Sequence, residues 1–304
     1  MDGSLAIWIW ITILAAISQS FRTAQQKNLK VRLGDFGASY VRFSYALPFA
    51  WVSLVSYIFF TGTSFPTLTY TFGFWVTLAG VLQIIFTVLL IKLFSHRSFA
   101  AGTAFSKTEV IQVALFEALI IGSIVSLQTG LAIILGFVAI ILLSIGKGLI
   151  SFSNLISSLL SKQAGIGLAS GAFLALCSVC FRAATDSLSG DDLIVKAGTT
   201  LSISLVIQTF LMGIWMKINV KSELILSFKE WRGSTIVGFF GALTSFCWFY
   251  AFSANAVAPV RAIGQIELVL ALLISMIFFR ERPSLKEATA ILLLLLSIIL
   301  VLFD

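Results

Sequence analysis

Apolar residues along this chain come in runs of about 20 separated by short polar breaks, too long for strands and too continuous for soluble amphipathic helices. The runs predict ten membrane-spanning helices. Five fall in the first half, at about 5–17, 36–60, 70–94, 99–121 and 129–150, and five in the second, at about 165–186, 193–217, 233–254, 256–279 and 285–303. Lys27, Lys30 and Arg32 are expected to mark a water-exposed turn between the first two, and Arg42, near the start of the second, to snorkel outward. Residues 151–163 set leucines against serines at helical spacing, the pattern of a short helix lying in the membrane interface.

The polar positions inside these runs carry the information. The run 100–121 holds Lys107 and Glu109 far from its ends. A charged side chain at the centre of a membrane helix costs about 2.5–3.5 kcal/mol on insertion scales, so such residues need partners or a function. Sliding the chain by 158 positions lays Ala104, Lys107, Glu109 and Val110 over Ala262, Gln265, Glu267 and Leu268. A shift of 160 lays Ser18, Phe21 and Arg22 over Ser178, Phe181 and Arg182. Two offsets of nearly equal size divide the chain into a first unit at 1–150, an interfacial linker at 151–163 and a second unit at 164–304.

Charge orients the units. Fourteen Lys and Arg belong to the connections after spans one, three, five, seven and nine, with their adjoining span ends; the other connections offer Lys196, beside Asp191 and Asp192. Basic loops stay in the cytoplasm, so both termini are expected on the periplasmic side of a bacterial inner membrane. An odd number of spans per unit then gives the two units opposite topologies, the inverted-repeat plan of many secondary transporters. The fold class expected is therefore an all-α polytopic membrane protein of two inverted five-helix repeats.

Composition closes off other classes. The chain is 59% hydrophobic and 11% charged, with mean hydropathy +1.05, which leaves no soluble domain. Its net charge of +7 is dispersed among loops and forms no nucleic-acid patch. Cys177 and Cys180 form a CxxC, but without a second pair and with His96 as the one histidine they read as packing residues, not metal ligands. No nucleotide-binding or catalytic motif is present, so no cofactor is expected and the drive must come from an ion gradient or from the substrate's own gradient.

Candidate substrate-binding or coupling residues are Arg22, Gln83, Lys107, Glu109, Arg182, Gln265 and Glu267. Lys107 and Glu109 stand about 200° apart around a helix, as do Gln265 and Glu267, so one member of each pair faces away from any shared cavity. Which one is open, as is whether the carboxylates serve as inter-helix ion pairs. A carboxylate without a cation partner would be the better proton carrier, and Gln265 standing where the first half has Lys107 favours Glu267. Arg22 and Arg182 lie nearer opposite membrane faces, as mouth residues or as snorkelling side chains.

Ten spans, inverted halves, a polar first span in each half and the stretch Ile277-Phe-Phe-Arg-Glu-Arg-Pro-Ser-Leu-Lys-Glu-Ala-Thr-Ala-Ile-Leu-Leu together resemble the EamA-like branch of the drug/metabolite transporter superfamily. Glu281 occupies the family's loop Glu, while Ser123 stands at the equivalent place in the first half. The resemblance implies transport of small metabolites or drugs, often outward, through a central cavity. It also implies cytoplasmic termini, opposite to the orientation read from charge. The reading favoured is a secondary transporter, monomeric or homodimeric, exporting small polar or zwitterionic metabolites, with protons as a candidate coupling ion. Its rivals are a proton-coupled exporter of lipophilic cationic drugs and an intramembrane enzyme acting on lipid-linked substrates.

Overall fold

The computed structural model describes residues 3–96, 109–145, 162–270 and 285–302, and these residues are almost entirely helical. Hydrocarbon offers no partner for backbone N–H and C=O groups, so a chain this apolar closes its hydrogen bonds within each helix. The helices are α1 (Gly3–Ser44), α2 (Ala46–Thr61), α3 (Tyr70–His96), α4 (Glu109–Ile120), α5 (Leu127–Ile145), α6 (Lys162–Asp186), α7 (Leu193–Asn219), α8 (Lys221–Lys229), α9 (Trp231–Ala254), α10 (Val257–Gly264) and α11 (Leu285–Leu302).

The apolar stretches Ile7–Thr61, Tyr70–Lys92, Gly165–Asp186, Leu193–Asn219 and Trp231–Ala254 are long enough to cross a membrane. The first has 55 residues, about 83 Å at 1.5 Å per residue, nearly three times a hydrocarbon core of about 30 Å. Gly34 interrupts it, with φ 74° and ψ −176°. A left-handed φ costs glycine little, so the chain turns there without a polar loop.

This corrects two expectations. Residues 27–32 are helical, and the break between the first two crossings falls at Gly34. Arg42 does not snorkel: it is 5% exposed and Nη1 donates to Thr87 Oγ1 at 2.9 Å. Where they fall on described residues, the other boundaries agree with the hydropathy runs to within a few residues, except that α6 takes in Lys162 and Gln163 and that the expected ninth span is interrupted at Gln265, with helix resuming over 266–270; the start of the fourth span and the ends of the fifth and ninth lie outside the described residues. The 151–161 part of the linker and the Glu281 turn lie outside the described residues.

The most extensive packing joins α1 to α9, α3 to α6 and α5 to α11. Glycines permit the first of these. A Cβ on Gly238 would strike the backbone of Tyr45, and one on Gly241 would lie 3.0 Å from the carbonyl oxygen of Arg42, so α9 approaches the segment carrying Arg42 at backbone distance.

The two ends of the bundle differ. At one end Lys30 Nζ donates to the carbonyl of Ile91 at 2.6 Å, Arg32 pairs with Glu230 at 3.2 Å, and the Phe36 and Trp215 rings lie 4.7 Å apart. At the other, Thr67 meets Ser189 at 2.9 Å, and Tyr57 donates to Asp192, which caps the start of α7 through the N–H groups of Ile194 and Val195. The first is the basic end.

Candidate functional site

Between the two ends lies a slot lined by Gln19 and Arg42 from α1, Gln83 and Phe86 from α3, Ser178 and Phe181 from α6, Trp248, Phe249 and Phe252 from α9, and Arg261 from α10. Both halves of the chain contribute walls. The free space at its centre is about 10 Å³, roughly room for one water molecule. In this conformation the slot is occluded.

Arg261 is its most constrained side chain. The guanidinium sits 4.3 Å from the Trp248 ring centroid and 5.2 Å from that of Phe252, a cation-π arrangement whose value grows with desolvation. Nη2 donates to Ser178 Oγ at 2.6 Å, and Ser178 donates onward to the carbonyl of Leu174. Nη1 lies 3.6 Å from Glu109 Oε1, an ion pair between the halves that falls just beyond hydrogen-bond distance. Nε and Nη1 of Arg261 make no hydrogen bond among the described residues.

A second strand of contacts runs along α1. Trp248 Nε1 donates to Gln19 Oε1 at 2.9 Å, and Gln19 Nε2 donates to Glu267 Oε2 at 3.0 Å. Arg22, 2% exposed, lies one turn from Gln19; Nε and Nη1 are without a hydrogen bond among the described residues. Glu267 is near enough to offset part of its charge, while Arg42 and Arg261 act against it. On the opposite wall Gln208 Nε2 donates to Gln83 Oε1 at 2.7 Å, and Thr87, the partner of Arg42, donates to the carbonyl of Gln83.

The expected site residues therefore separate. Gln83 lines the slot, and Arg22, Glu109 and Glu267 are buried in the shell around it. Gln265 is buried elsewhere: its amide lies over Gly136 of α5, next to Ser297 of α11. Lys107 lies outside the described residues. Arg182 is not in the slot; its Nη1 meets Glu117 Oε1 at 2.9 Å and its Nε meets Asp186 at 3.4 Å. Glu267, the carboxylate expected to be poor in cations, lies within electrostatic reach of Arg22 from α1.

Glu117 was not legible as a functional residue, yet it is wholly buried. Besides Arg182, its two oxygens accept the N–H groups of Val257 at 2.7 Å and Ala258 at 2.9 Å, so it caps α10 from across the bundle. Near the basic end Glu223 Oε2 does the same for the helical segment after Gly34, accepting the N–H groups of Phe36 and Gly37 at 2.9 Å each. Glu117 stands eight residues from Glu109 along α4, and Gly34 eight residues from Arg42 along α1, or about 12 Å in each case. A carboxylate thus ties a helix start to the opposite half on each side of the slot.

A helical bundle with an apolar perimeter, a polar slot and crossings of membrane length is an integral membrane protein. Residues 164–303 match the EamA-like transporter family, part of the drug/metabolite transporter superfamily. A solved structure, described only as the crystal structure of a protein, has this fold: TM-score 0.68 at 14% identity, over 97% of this chain and 96% of its own. No curated protein matches the chain.

Proposed function

We propose that this protein is a secondary transporter that moves small polar or zwitterionic metabolites out of the cell by alternating exposure of the slot. The observation that carries the reading is the position of the slot: a buried, polar, nearly filled space with walls from both halves, bounded at each end by a carboxylate that joins one half to the other. Opening either end requires parting one of these contacts while the other holds. Outward direction rests on the family, and the inner membrane with periplasmic termini rests on the basic connections.

The packing pattern supports a division into inverted units at 1–150 and 164–304. Numbering the crossings one to ten, α3 on α6 is three on six and α5 on α11 is five on ten, while α9, the eighth, packs on α1, which carries the first crossing and the start of the second. Exchanging the halves turns five on ten into itself, and turns three on six into one on eight, which is part of the α1–α9 contact.

Arginines in the slot wall argue against lipophilic cations as cargo, since a second positive charge beside Arg42 and Arg261 would be repelled in a medium of low dielectric constant. Metabolite profiling of growth medium from cells with and without the gene tests the reading. A small polar solute should accumulate outside only when the gene is present. Unchanged medium together with resistance to cationic dyes on overexpression would replace the reading with drug export.

A further inference from the structure

Three arginines, Arg22, Arg42 and Arg261, are buried in and around the slot, each 5% exposed or less, and the carboxylates beside them are those of Glu109 and Glu267. Among the described residues cations therefore outnumber carboxylates by one. The excess is local. Arg42 lines the slot with no carboxylate within ion-pair distance among the described residues; its bonded partner is the neutral Thr87 hydroxyl. Arg261 lines it too, with Nε and Nη1 making no hydrogen bond there. A guanidinium carries five N–H donors and does not lose its proton, so such groups cannot become neutral to suit an apolar site.

Two under-satisfied guanidinium groups on one slot recognise an oxyanion. We propose that the slot binds the carboxylate of a small organic monoanion or zwitterion between Arg42 and Arg261, with the rest of the molecule against Trp248 and Phe252. Charge favours a carboxylate over a phosphate ester, which carries nearly two charges at neutral pH and would overshoot the one excess cation among the described residues. Geometry favours it as well: a planar carboxylate accepts two parallel N–H groups from a guanidinium, and Arg261 is held over the Trp248 ring with Ser178 fixing one edge. Because the empty slot has room for about one water molecule, the ligand enters only when the walls of the slot part.

This inference rests on the slot being the transport site, and direct binding separates the two ideas. The protein is purified in detergent at constant ionic strength, and its melting temperature is followed while lactate, benzoate, lactamide, benzamide, benzylamine or inorganic phosphate is titrated. Lactate or benzoate should stabilise it saturably, and the amides, the amine and phosphate should not. Arg261→Gln should weaken carboxylate binding at least tenfold. If that variant does not fold, the comparison of each carboxylate with its own amide in the native chain decides alone. Equal effects of acid and amide, or stronger effects of phosphate or benzylamine, would overturn the assignment. Carboxylate binding without flux in liposomes would leave the site standing and remove the transport reading.

Discussion

Glu117 and Arg182 meet at 2.9 Å where α4 crosses α6, and the same carboxylate holds the first two N–H groups of α10. One side chain therefore joins two elements of the second half to the first. Removing this wholly buried carboxylate leaves Arg182 Nη1 and two helix-start donors without the acceptor they have here. Glu117→Ala should cost about 3 kcal/mol or more of stability, and Glu117→Gln less, because its carbonyl still accepts one N–H. Thermal unfolding in detergent checks the order. Equal melting temperatures for native protein, Gln and Ala variants would show that the contact carries no weight.

At the basic end the corresponding device depends on Gly34. Its φ of 74° is unfavourable for any residue with a Cβ, and that Cβ would strike the Glu223 carboxylate. Gly34→Ala should lose the cap on Phe36 and Gly37 and destabilise the fold by about 1–3 kcal/mol. Glu223→Ala should remove the same cap without backbone strain and cost less. Melting curves of the two variants distinguish strain from capping.

Much of this was legible in the sequence, for a reason particular residues make plain. Membrane crossings announce themselves as apolar runs, and Arg22, Glu109 and Glu267 stand out because hydrocarbon makes any charge conspicuous. What failed was the assignment of partners. Arg42 looked like a snorkelling residue because its position near the start of a run is compatible with either direction, and only the close approach of α9 at Gly238 and Gly241 shows it turned inward. Glu117 was not singled out at all, since its partners at 182 and 257–258 are far away in sequence. The break at Gly34 was hidden by three basic residues just before it, which read as a loop although they lie on a continuing helix.

Trp248 connects stability to function differently. A Cβ on Gly264 would strike the edge of its ring, and moving the ring would part Trp248 Nε1 from Gln19 and unseat Arg261. Gly264→Ala should therefore cost modest stability, about 1–3 kcal/mol for an overpacked contact, but abolish flux. A variant that melts several degrees lower yet transports at the native rate would show that the ring's position is irrelevant to the path.

Sidedness is open to chemical labelling, because Cys177, Cys180 and Cys247 are all buried and give little background. Ser189→Cys, beside Thr67, should react with a membrane-impermeant maleimide in intact spheroplasts. Lys229→Cys, at the basic end, should react only after permeabilisation. The reverse pattern would invert the orientation and place the termini in the cytoplasm.

Flux through the slot is the most direct test of the whole account. Proteoliposomes loaded with a mixture of isotope-labelled amino acids, hydroxy acids, their amides, and cationic dyes would be assayed by mass spectrometry for solutes lost over time. Native protein should release one or more carboxylate-bearing solutes faster than protein-free liposomes, and Arg261→Gln should abolish that difference while leaving the protein folded. Release of no solute above the protein-free rate, or release that Arg261→Gln leaves untouched, would contradict it.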